Sequence, residues 1–250
     1  MAYTTIDDPS AHFHTQLYSG TGSAQSITND ANAGDFQPDW VWVKKRAGGT
    51  ARNHTLTDSS RGVTKGLFSS LNDAEATNAQ GLTSFNSDGF SVGTYNNFNE
   101  SDGTYVAWQW KANGGSRTTF TESGDNPGGG YQTNTTAGFS IVDYVGTGAD
   151  GSVSHGLGAI PHFLIIKSRD SAHGWAVYHQ STLATHNTYL ETNGAKTNNT
   201  FFQNTTPTSS VFYVKTQNEI NVNARNYIAY VFTEIQGYSK FGSYTGNGNA

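Results

Sequence analysis

The sequence predicts an all-β protein made of two tandem β-sandwich domains of the jelly-roll kind, with little helix. The first supporting observation is a repeat: Phe13 leads into Y-S-G-T-G at 18–22, and Phe139 leads into Y-V-G-T-G at 144–148. The second is a series of short runs of aromatic and β-branched residues, separated by turns rich in Gly and Asn. Such runs are typical of sandwich strands. A motif that recurs at long spacing indicates one folding unit used more than once.

The repeat continues beyond its opening motif. P-D-W-V-W-V-K at 38–44 aligns with P-H-F-L-I-I-K at 161–167. Y-V-A-W-Q-W at 105–110 aligns with Y-I-A-Y-V-F at 227–232. We expect this last pair to be the central strand of each sheet, covered on both faces, because apolar residues occupy both of its faces. A third opening motif stands at 241–248, where the sequence again reads F…Y-T-G-N-G.

These matches divide the chain into five parts. They are an N-terminal arm (1–11), a first β-sandwich (12–111), a glycine-rich linker (112–136), a second β-sandwich (137–237), and the start of a third repeat or a C-terminal linker (238–250). The linker is predicted from its glycine runs and its few apolar residues, which favour a flexible segment. Within 63–79, apolar residues spaced by three and four predict at most two helical turns.

Composition excludes several classes of function. The net charge is −5, and only 13% of residues are charged, so the chain lacks the basic stripe that nucleic acid requires. The chain has no Cys, which excludes disulfides, thiolate metal sites and thiol catalysis. No apolar run is long enough to cross a bilayer. We therefore expect neither nucleic-acid binding nor membrane insertion.

Two histidines form a pattern that suggests a metal. His12 and His14 flank Phe13, so on a strand both side chains point to the same face. In a trimer, three such pairs around an axis would supply six imidazoles to one ion. The simpler interpretation is two exposed polar residues on an edge strand. We predict no metal or other cofactor.

Motifs of catalysis are missing from the sequence. It contains no G-x-S-x-G elbow, no P-loop and no G-x-G-x-x-G before a helix. Acidic residues are scattered, and none form an E-x-D or D-x-E pair within a predicted strand, where such a pair would aim two carboxylates into one cleft. We therefore predict a protein that is not an enzyme, although two acids distant in sequence can still meet in space.

The aromatic residues fall into two groups. Those in strands are predicted to fill the core, because the repeat replaces them with other apolar residues: Trp40, Trp42, Trp108, Trp110 and Trp175. Those in loops are the candidates for ligand contact: Tyr95, Phe98, Tyr131, Phe201 and Phe202.

Several motifs resemble those of a known group of proteins. S-H-G-L-G-A-I-P at 154–161, followed by an apolar strand, resembles the H-G-L-G-x-x-P element recurrent in phage tail-fibre and related virion proteins. D-S-S-R-G-V-T-K at 58–65 and G-Y-S-K-F-G-S-Y-T-G-N-G at 237–248 resemble a β-domain family repeated in marine bacteriophage proteins. The first repeat lacks H-G-L-G before Pro38. We therefore expect this element to be a turn that leads into a strand.

The resemblance implies a non-enzymatic structural protein of the virion. The expected role is a fibre or surface appendage that mediates host attachment, located on the virion surface after assembly in the host cytoplasm. Its implied partners are other virion proteins of the tail, portal or capsid, further copies of itself in a homotrimer, and a glycan or other receptor on the host. Two alternatives remain open: a capsid decoration or head-associated protein, and a polysaccharide depolymerase.

Overall fold

The computed structural model describes residues 4–30, 34–198 and 201–248, and strands dominate its regular structure. A 3₁₀ turn, Pro9–Ala11, precedes the first strand, and one helical turn, α1 (Asn96–Asn99), lies between the strands that end at Val92 and begin at Thr104. The first half of the described chain forms β1 (Phe13–Ser19), β2 (Gln25–Ile27), β3 (Trp40–Ala47), β4 (Thr55–Asp58), β5 (Lys65–Gly66), β6 (Ala76–Thr77), β7 (Leu82–Phe85), β8 (Phe90–Val92) and β9 (Thr104–Trp110).

The second half of the described chain is also built from strands. They are β10 (Thr118–Phe120), β11 (Gly128–Asn134), β12 (Phe139–Val145), β13 (Gly151–Ser154), β14 (Phe163–Ser168), β15 (Ala176–His179), β16 (His186–Tyr189), β17 (Thr197–Asn198), β18 (Val211–Val214) and β19 (Asn226–Phe232). The prediction of an all-β fold with little helix is confirmed.

The sequence repeat is also a repeat of strand order. The first large sheet has the antiparallel order β1-β9-β3-β4. The second large sheet contains the matching order β12-β19-β14-β15, extended by β11 and β10 at one edge and by β16 and β17 at the other. A smaller pairing is repeated as well, since β2 pairs with β8 and β13 with β18. β9 and β19 are internal strands of their sheets, as predicted.

The tyrosine of the opening motif has the same role in both copies. Tyr18 stacks on Tyr105 with ring centroids 5.1 Å apart, and Tyr144 stacks on Tyr227 at 5.2 Å. Each motif tyrosine also donates its hydroxyl to a backbone carbonyl of the loop before the central strand. The motif therefore ties the first strand to that loop.

The two glycines of the motif are required by geometry. A Cβ on Gly20 would lie 2.1 Å from the carbonyl oxygen of Glu100, and one on Gly146 would lie 2.3 Å from that of Val222. The later glycines of the motif, Gly22 and Gly148, have positive φ angles of 69° and 74°. Only glycine adopts such angles without steric cost.

Alternation along the strands arranges the sheets in layers. Odd-numbered residues of β3 and β9, such as Val43 and Ala107, pack against the small sheet of their own half. Even-numbered ones, such as Trp40, face the second large sheet. β19 alternates likewise, with Ala229 facing β13 and β18 and Tyr230 facing the first large sheet. The same face of each large sheet is thus buried against the other, and the two halves share one hydrophobic core.

A buried ionic network crosses this shared interface. The Arg61 side chain is fully buried and pairs with Asp58 and with Glu75, whose other partner is Arg169. The Tyr230 hydroxyl donates to Asp58 Oδ2 at 2.7 Å. Burial is the largest single influence on Arg61 and opposes its charge, but the combined attraction of Asp58, Tyr230 and Glu75 outweighs burial and raises the pKa of the guanidinium. Burial alone would raise the pKa of Glu75, but hydrogen bonds and charge from Arg169 and Arg61 lower it.

The predicted linker at 112–136 contains regular structure, so its interpretation as a flexible segment is corrected. β11 pairs with β12 along seven residues, from Gly128↔Val145 to Asn134↔Phe139. A Cβ on Gly129 would lie 2.1 Å from the carbonyl oxygen of Asp143. The glycines thus allow close approach to the neighbouring strand, rather than freedom of the chain. The two halves share a core, so the structure does not separate them into independent domains. The division into two domains stays a prediction.

The helical turns predicted within 63–79 are absent, since described residues 63–79 contain only β5, β6 and turns. Leu67 exchanges backbone hydrogen bonds with Leu56 and is fully buried in the shared core. Thr64 has a φ of 67°, which lies outside the range of a right-handed helix. The spacing of apolar residues here reflects a turn packed between the two halves.

The terminal segments pack in part against the sheets. In the N-terminal arm, Ile6 is buried, while residues 1–3 lie outside the described part of the chain. Near the other end, Phe241 packs on Phe163 and Phe232 with centroids 5.5 and 5.8 Å away. Tyr244 is 95% exposed. Residues 249–250 lie outside the described range, and the third repeat stays a prediction.

The H-G-L-G element forms a turn before β14. His155 is fully buried: its Nδ1 accepts from the Leu157 amide and its Nε2 lies 3.1 Å from the Thr208 carbonyl oxygen. Gly156 and Gly158 have positive φ angles of 71° and 69°. Both the histidine and the glycines thus shape the loop, which agrees with the predicted turn.

Candidate binding site

The interface between the large sheets is tightly packed in one part and leaves a hollow beside it. In the packed part, Trp40 stacks on Tyr230 with centroids 4.0 Å apart. The hollow has a volume of about 410 Å³ and is lined mostly by aromatic and aliphatic side chains. Two shallower hollows of about 330 and 300 Å³ continue it, and Trp42 borders all three.

We call this continuous opening the aromatic cleft. Its residues include Phe13, Trp42, His54, Ser69, Ser70, Trp108, Trp110, Phe163, Leu190, Glu191, Phe232 and Phe241. They come from both halves of the chain. The cleft therefore exists only because the two sheets are packed together.

Three tryptophans on the first large sheet form one wall of the cleft. Trp42 and Trp108 are directly opposite in the β3–β9 register, with ring centroids 6.1 Å apart at 81°. Trp110 packs against Phe13 at 5.0 Å. All three indoles are half-buried. Because they stand on paired strands, their positions are set by the sheet and not by a mobile loop.

His54 links this wall to the polar side of the cleft. Trp42 Nε1 donates to His54 Nδ1 at 2.8 Å, which places the proton of neutral His54 on Nε2. Burial, and then the nearby charge of Lys44, lower the pKa of His54, so the imidazole is neutral at pH 7. Its ring lies parallel to Trp108 at 6.5 Å. The histidine offers an N–H donor beside an aromatic surface.

The polar side of the cleft carries little charge. Ser69 and Ser70 lie beside His54 and Glu191 in the hollow of about 330 Å³. Glu191 is the single carboxylate among the cleft residues, and its Oε2 accepts from the backbone amide of Trp175 at 3.0 Å. The cleft can therefore contact the apolar face of a ligand and form hydrogen bonds with a few of its polar groups. It lacks a second acid for the paired chemistry of a glycosidase.

Of the strand tryptophans predicted to fill the core, Trp40 and Trp175 are buried in it, Trp42 and Trp110 are half-buried and pack against its edge, and Trp108 lies outside it. Trp40 and Trp175 are 1% and 0% exposed, and Trp175 Nε1 donates to the carbonyl oxygens of Phe68 and Leu71. The other three line the cleft: Trp42, Trp108 and Trp110. The sequence contains a signal for this, since each of the three is larger than the side chain at its position in the second repeat, which is Ile165, Tyr230 or Phe232.

The loop aromatics do not meet in the cleft. Phe98, Phe201 and Phe202 are 2%, 1% and 0% exposed, so the exposure expected of them is wrong. They fill the cores beneath their loops, where apolar burial outweighs loop position. Tyr95 is half-buried beside Phe98, and half-buried Tyr131 stacks on Phe120 at 6.2 Å.

Within the single chain, His12 and His14 contact different side chains. His12 lies just before β1, and Asn134 Nδ2 donates to its Nδ1 at 3.1 Å. Burial lowers the pKa of His12. His14 contacts Gln16 Oε1 at 3.1 Å and lies 3.8 Å from Asp30. In the part of the chain that the structure describes, no three side chains of the metal-ligating types lie together. A site shared by three copies, which is the alternative to the prediction of no metal, is not tested by a single chain.

The fold and the cleft define a class: an all-β, sandwich-like protein with an aromatic cleft between two sheets. Residues 8–250 match a family described as a domain of unknown function, DUF7483, and the chain belongs to that family. No curated protein and no protein of solved structure matches the chain. Among the described residues, no helix combines the length and apolarity needed to cross a membrane.

Proposed function

We propose that the chain is a non-enzymatic attachment protein of a virion surface, and that its aromatic cleft binds a glycan of the host envelope. The observation that carries this proposal is the wall of half-buried tryptophans on paired strands, with a few polar groups and one carboxylate beside it. The virion context is supported by the sequence motifs that resemble phage fibre proteins. A fibre or other surface appendage is the form we favour.

The chemistry of the cleft suits a sugar. A pyranose ring has an apolar C–H face that packs on an indole, and hydroxyls at its edge that need donors and acceptors. Trp42 and Trp108 provide the aromatic surface, and His54 Nε2–H, Ser69 and Glu191 provide polar partners. Binding sites of this composition, mostly apolar with a few placed polar groups, are typical of small-molecule recognition.

Binding without catalysis is supported by the state of the acids. Asp58 and Glu75 are paired with Arg61 and Arg169, and they lie in the interface core. Glu191 has no acidic neighbour among the cleft residues. The depolymerase alternative requires two acids on opposite sides of one glycosidic bond. The head-associated alternative shares this site and differs only in the location of the protein.

Weak sugar contacts would become useful through repetition. Several copies on one particle, as in a homotrimeric fibre, would engage several glycans at once and raise the overall avidity. Other virion proteins would hold the anchored end. A density map of the intact particle with this chain assigned would test the location. Placement flat on capsid hexamers would contradict the appendage and support a head-associated protein.

The binding proposal is tested with the purified chain and polysaccharide isolated from the host envelope. We expect saturable binding, and Trp108→Ala should weaken it by about tenfold or more, since one buried aromatic contact contributes on the order of 1–3 kcal/mol. The control is Tyr244→Ala, which removes an exposed aromatic outside the cleft. Equal binding by Trp108→Ala and the unchanged chain would overturn the site. New reducing ends in the polysaccharide would overturn the non-enzymatic role.

A further inference from the structure

The two units of the chain differ at the outer edge of their first strand. In the second unit, β12 pairs with β19 on one side and with β11 on the other. In the first unit, β1 pairs with β9, and no strand of the described residues lies on its other side. The duplicated fold therefore covers this edge with a strand in one copy and leaves it open to a strand in the other.

Alternate residues of β1 direct their backbone groups to the open edge. The Gly20 amide donates to the Gly103 carbonyl oxygen at 2.7 Å, in register with the β1–β9 ladder, so even-numbered residues bond to β9. Odd-numbered residues therefore point their amides and carbonyls outward. These outward residues are Phe13, Thr15, Leu17 and Ser19. The equivalent positions of β12 are those whose backbone groups face β11.

The outward backbone groups are only partly bonded within the chain. Gln16 Nε2 donates to the Leu17 carbonyl oxygen at 2.9 Å, and Gln25 Nε2 donates to that of Ser19 at 3.0 Å. The outward amides that precede Ser19 have no acceptor among the described residues. A row of such groups is a template for pairing with a further strand.

β1 also lacks the features that protect the other edges of the large sheets. It is seven residues long and contains no Asp, Glu, Lys, Arg or Pro. At the opposite edge of the same sheet, Leu56 of β4 exchanges backbone hydrogen bonds with Leu67. The edges of the second large sheet, β10 and β17, have only three and two residues. Short strands, charges and prolines commonly prevent edge pairing, and β1 has none of them.

The side chains of β1 suit a second copy of the same strand. Phe13 and Leu17 lie on one face, with Thr15 midway between them. Leu17 is 54% exposed, whereas its equivalent in the second unit is Asp143, which pairs with Arg117. An antiparallel copy centred on Thr15 would place its Leu17 opposite Phe13 and its Phe13 opposite Leu17. The two threonines would meet at the centre, which is a favourable cross-strand pair. The strand is self-complementary in this register.

We propose that β1 is the interface between two copies of this chain, paired as antiparallel strands about a two-fold axis at Thr15. About six backbone hydrogen bonds would form along the seam, because each pair of outward residues exchanges two. Gln16 would release the Leu17 carbonyl to the second copy. The two four-stranded sheets would join into one continuous sheet.

This pairing would place two aromatic clefts side by side. Trp108 and Trp110 of β9 lie opposite Thr15 and Phe13 in the β1–β9 register, so their walls share the face that carries Leu17. A two-fold axis perpendicular to the sheet keeps both walls on the same face of the joined sheet. One long ligand could then contact both clefts. The pairing itself does not require glycan binding, and it joins two copies, in contrast to the homotrimer expected from the sequence motifs.

The oligomeric state of the intact chain tests this interface. Sedimentation equilibrium over a range of concentrations should show monomers and dimers. Thr15→Pro removes an outward amide and leaves the ladder to β9 intact, because proline is tolerated on the free side of an edge strand. It should abolish the dimer. Leu17→Lys should weaken the dimer about tenfold or more, since its charge would lie against an apolar ring. The matched control is Ile160→Lys, at a residue that is 50% exposed, and it should leave the equilibrium unchanged.

Two cysteine variants test the register, because the chain has no Cys of its own. Thr15→Cys would face its own copy across the seam with Cα atoms about 5.5 Å apart, a separation that a disulfide spans. Mild oxidation should therefore give a covalent dimer on a denaturing gel. Ser19→Cys lies on the same edge but far from its own copy in this register, so it should give none.

Several results would overturn the proposal. They are a chain that stays monomeric at all concentrations, a trimer, a dimer that Leu17→Lys does not weaken, and equal cross-linking of the two cysteine variants. Circular dichroism and thermal melts check that each variant folds. If Thr15→Pro does not fold, Leu17→Lys and the cysteine variants still decide the outcome.

Discussion

The two units of this chain have the same strand order but use one equivalent face differently. In the second unit that face carries Phe163, Ile165, Tyr230 and Phe232, and strands on either side widen the sheet to eight. In the first unit the equivalent positions are all tryptophan, on a sheet of four strands: Trp40, Trp42, Trp108 and Trp110. The larger rings extend past the area of contact, so only Trp40 is fully covered.

This difference indicates how a duplicated fold acquires a site. The repeat supplies two sheets whose equivalent faces fit together, much as the same patch pairs in a symmetric dimer. Where the faces match in size, they form a core around Tyr230. Where the tryptophan rings of the first unit extend beyond the area that the second sheet covers, a cleft remains. The cleft thus results from unequal side chains on equal backbones.

The largest expected effect tests whether the two units form one structure. Arg61→Met would leave the buried carboxylates of Asp58 and Glu75 without their shared partner, so we expect a loss of about 3–5 kcal/mol in the free energy of unfolding. The measurement is urea denaturation followed by tryptophan fluorescence.

The matched control is Arg117→Met, which removes a partly exposed pair with Asp143. It should cost at most about 1 kcal/mol, because solvent screens such pairs. A cost for Arg61→Met no greater than that of the control would show that the network contributes little. Two separate unfolding transitions in the unchanged chain would show that the units unfold independently.

A smaller effect tests whether the opening motif works equally in both units. Gly20→Ala and Gly146→Ala each place a Cβ against a backbone carbonyl, so each should destabilise the chain by about 1–3 kcal/mol. Gly246→Ala changes the third copy of the motif, where a Cβ would meet nothing within 4 Å, and should have little effect. Calorimetric melting temperatures measure all three. A clear effect at one motif glycine and none at the other would break the equivalence of the units.

The smallest expected effect is a loss of folding stability at acidic pH. Burial lowers the pKa of His54 in the first unit and of His155 in the second. The unfolded chain binds these protons near pH 6.5, while the folded chain resists them to lower pH. Stability should therefore be fully present above pH 6.5 and fall as the pH drops towards the folded pKa values. Denaturation between pH 7.5 and 5 measures this slope.

His54→Gln and His155→Gln should each make the slope shallower, and His155→Gln more so, because His155 is fully buried while His54 is half-buried. His54→Gln should also weaken glycan binding at every pH, since it removes the imidazole that accepts from Trp42. An unchanged slope in both variants would exclude these histidines as the source of acid sensitivity.

Local patterns predicted most of the strands but missed those of low apolar content. Strands such as β3, β12 and β19 alternate apolar residues between turn signals, so their positions follow from the sequence. The glycines of β11 predict a flexible linker, although in the structure they allow the close approach of β11 to β12. The polar neighbours of loop phenylalanines such as Phe98 predict exposure at the surface. The core beneath them decides their burial.

The amino-acid order alone identifies the duplication, the all-β class and the central strands, because backbone periodicity and turn chemistry are local properties. It does not reveal that the two sheets share a core, or that three of the five tryptophans remain half-buried at its edge. Those outcomes depend on which surfaces meet after the strands have formed. Burial depends on contacts between residues that are distant in sequence. Which tryptophans are buried is therefore decided by how the two sheets pack against each other.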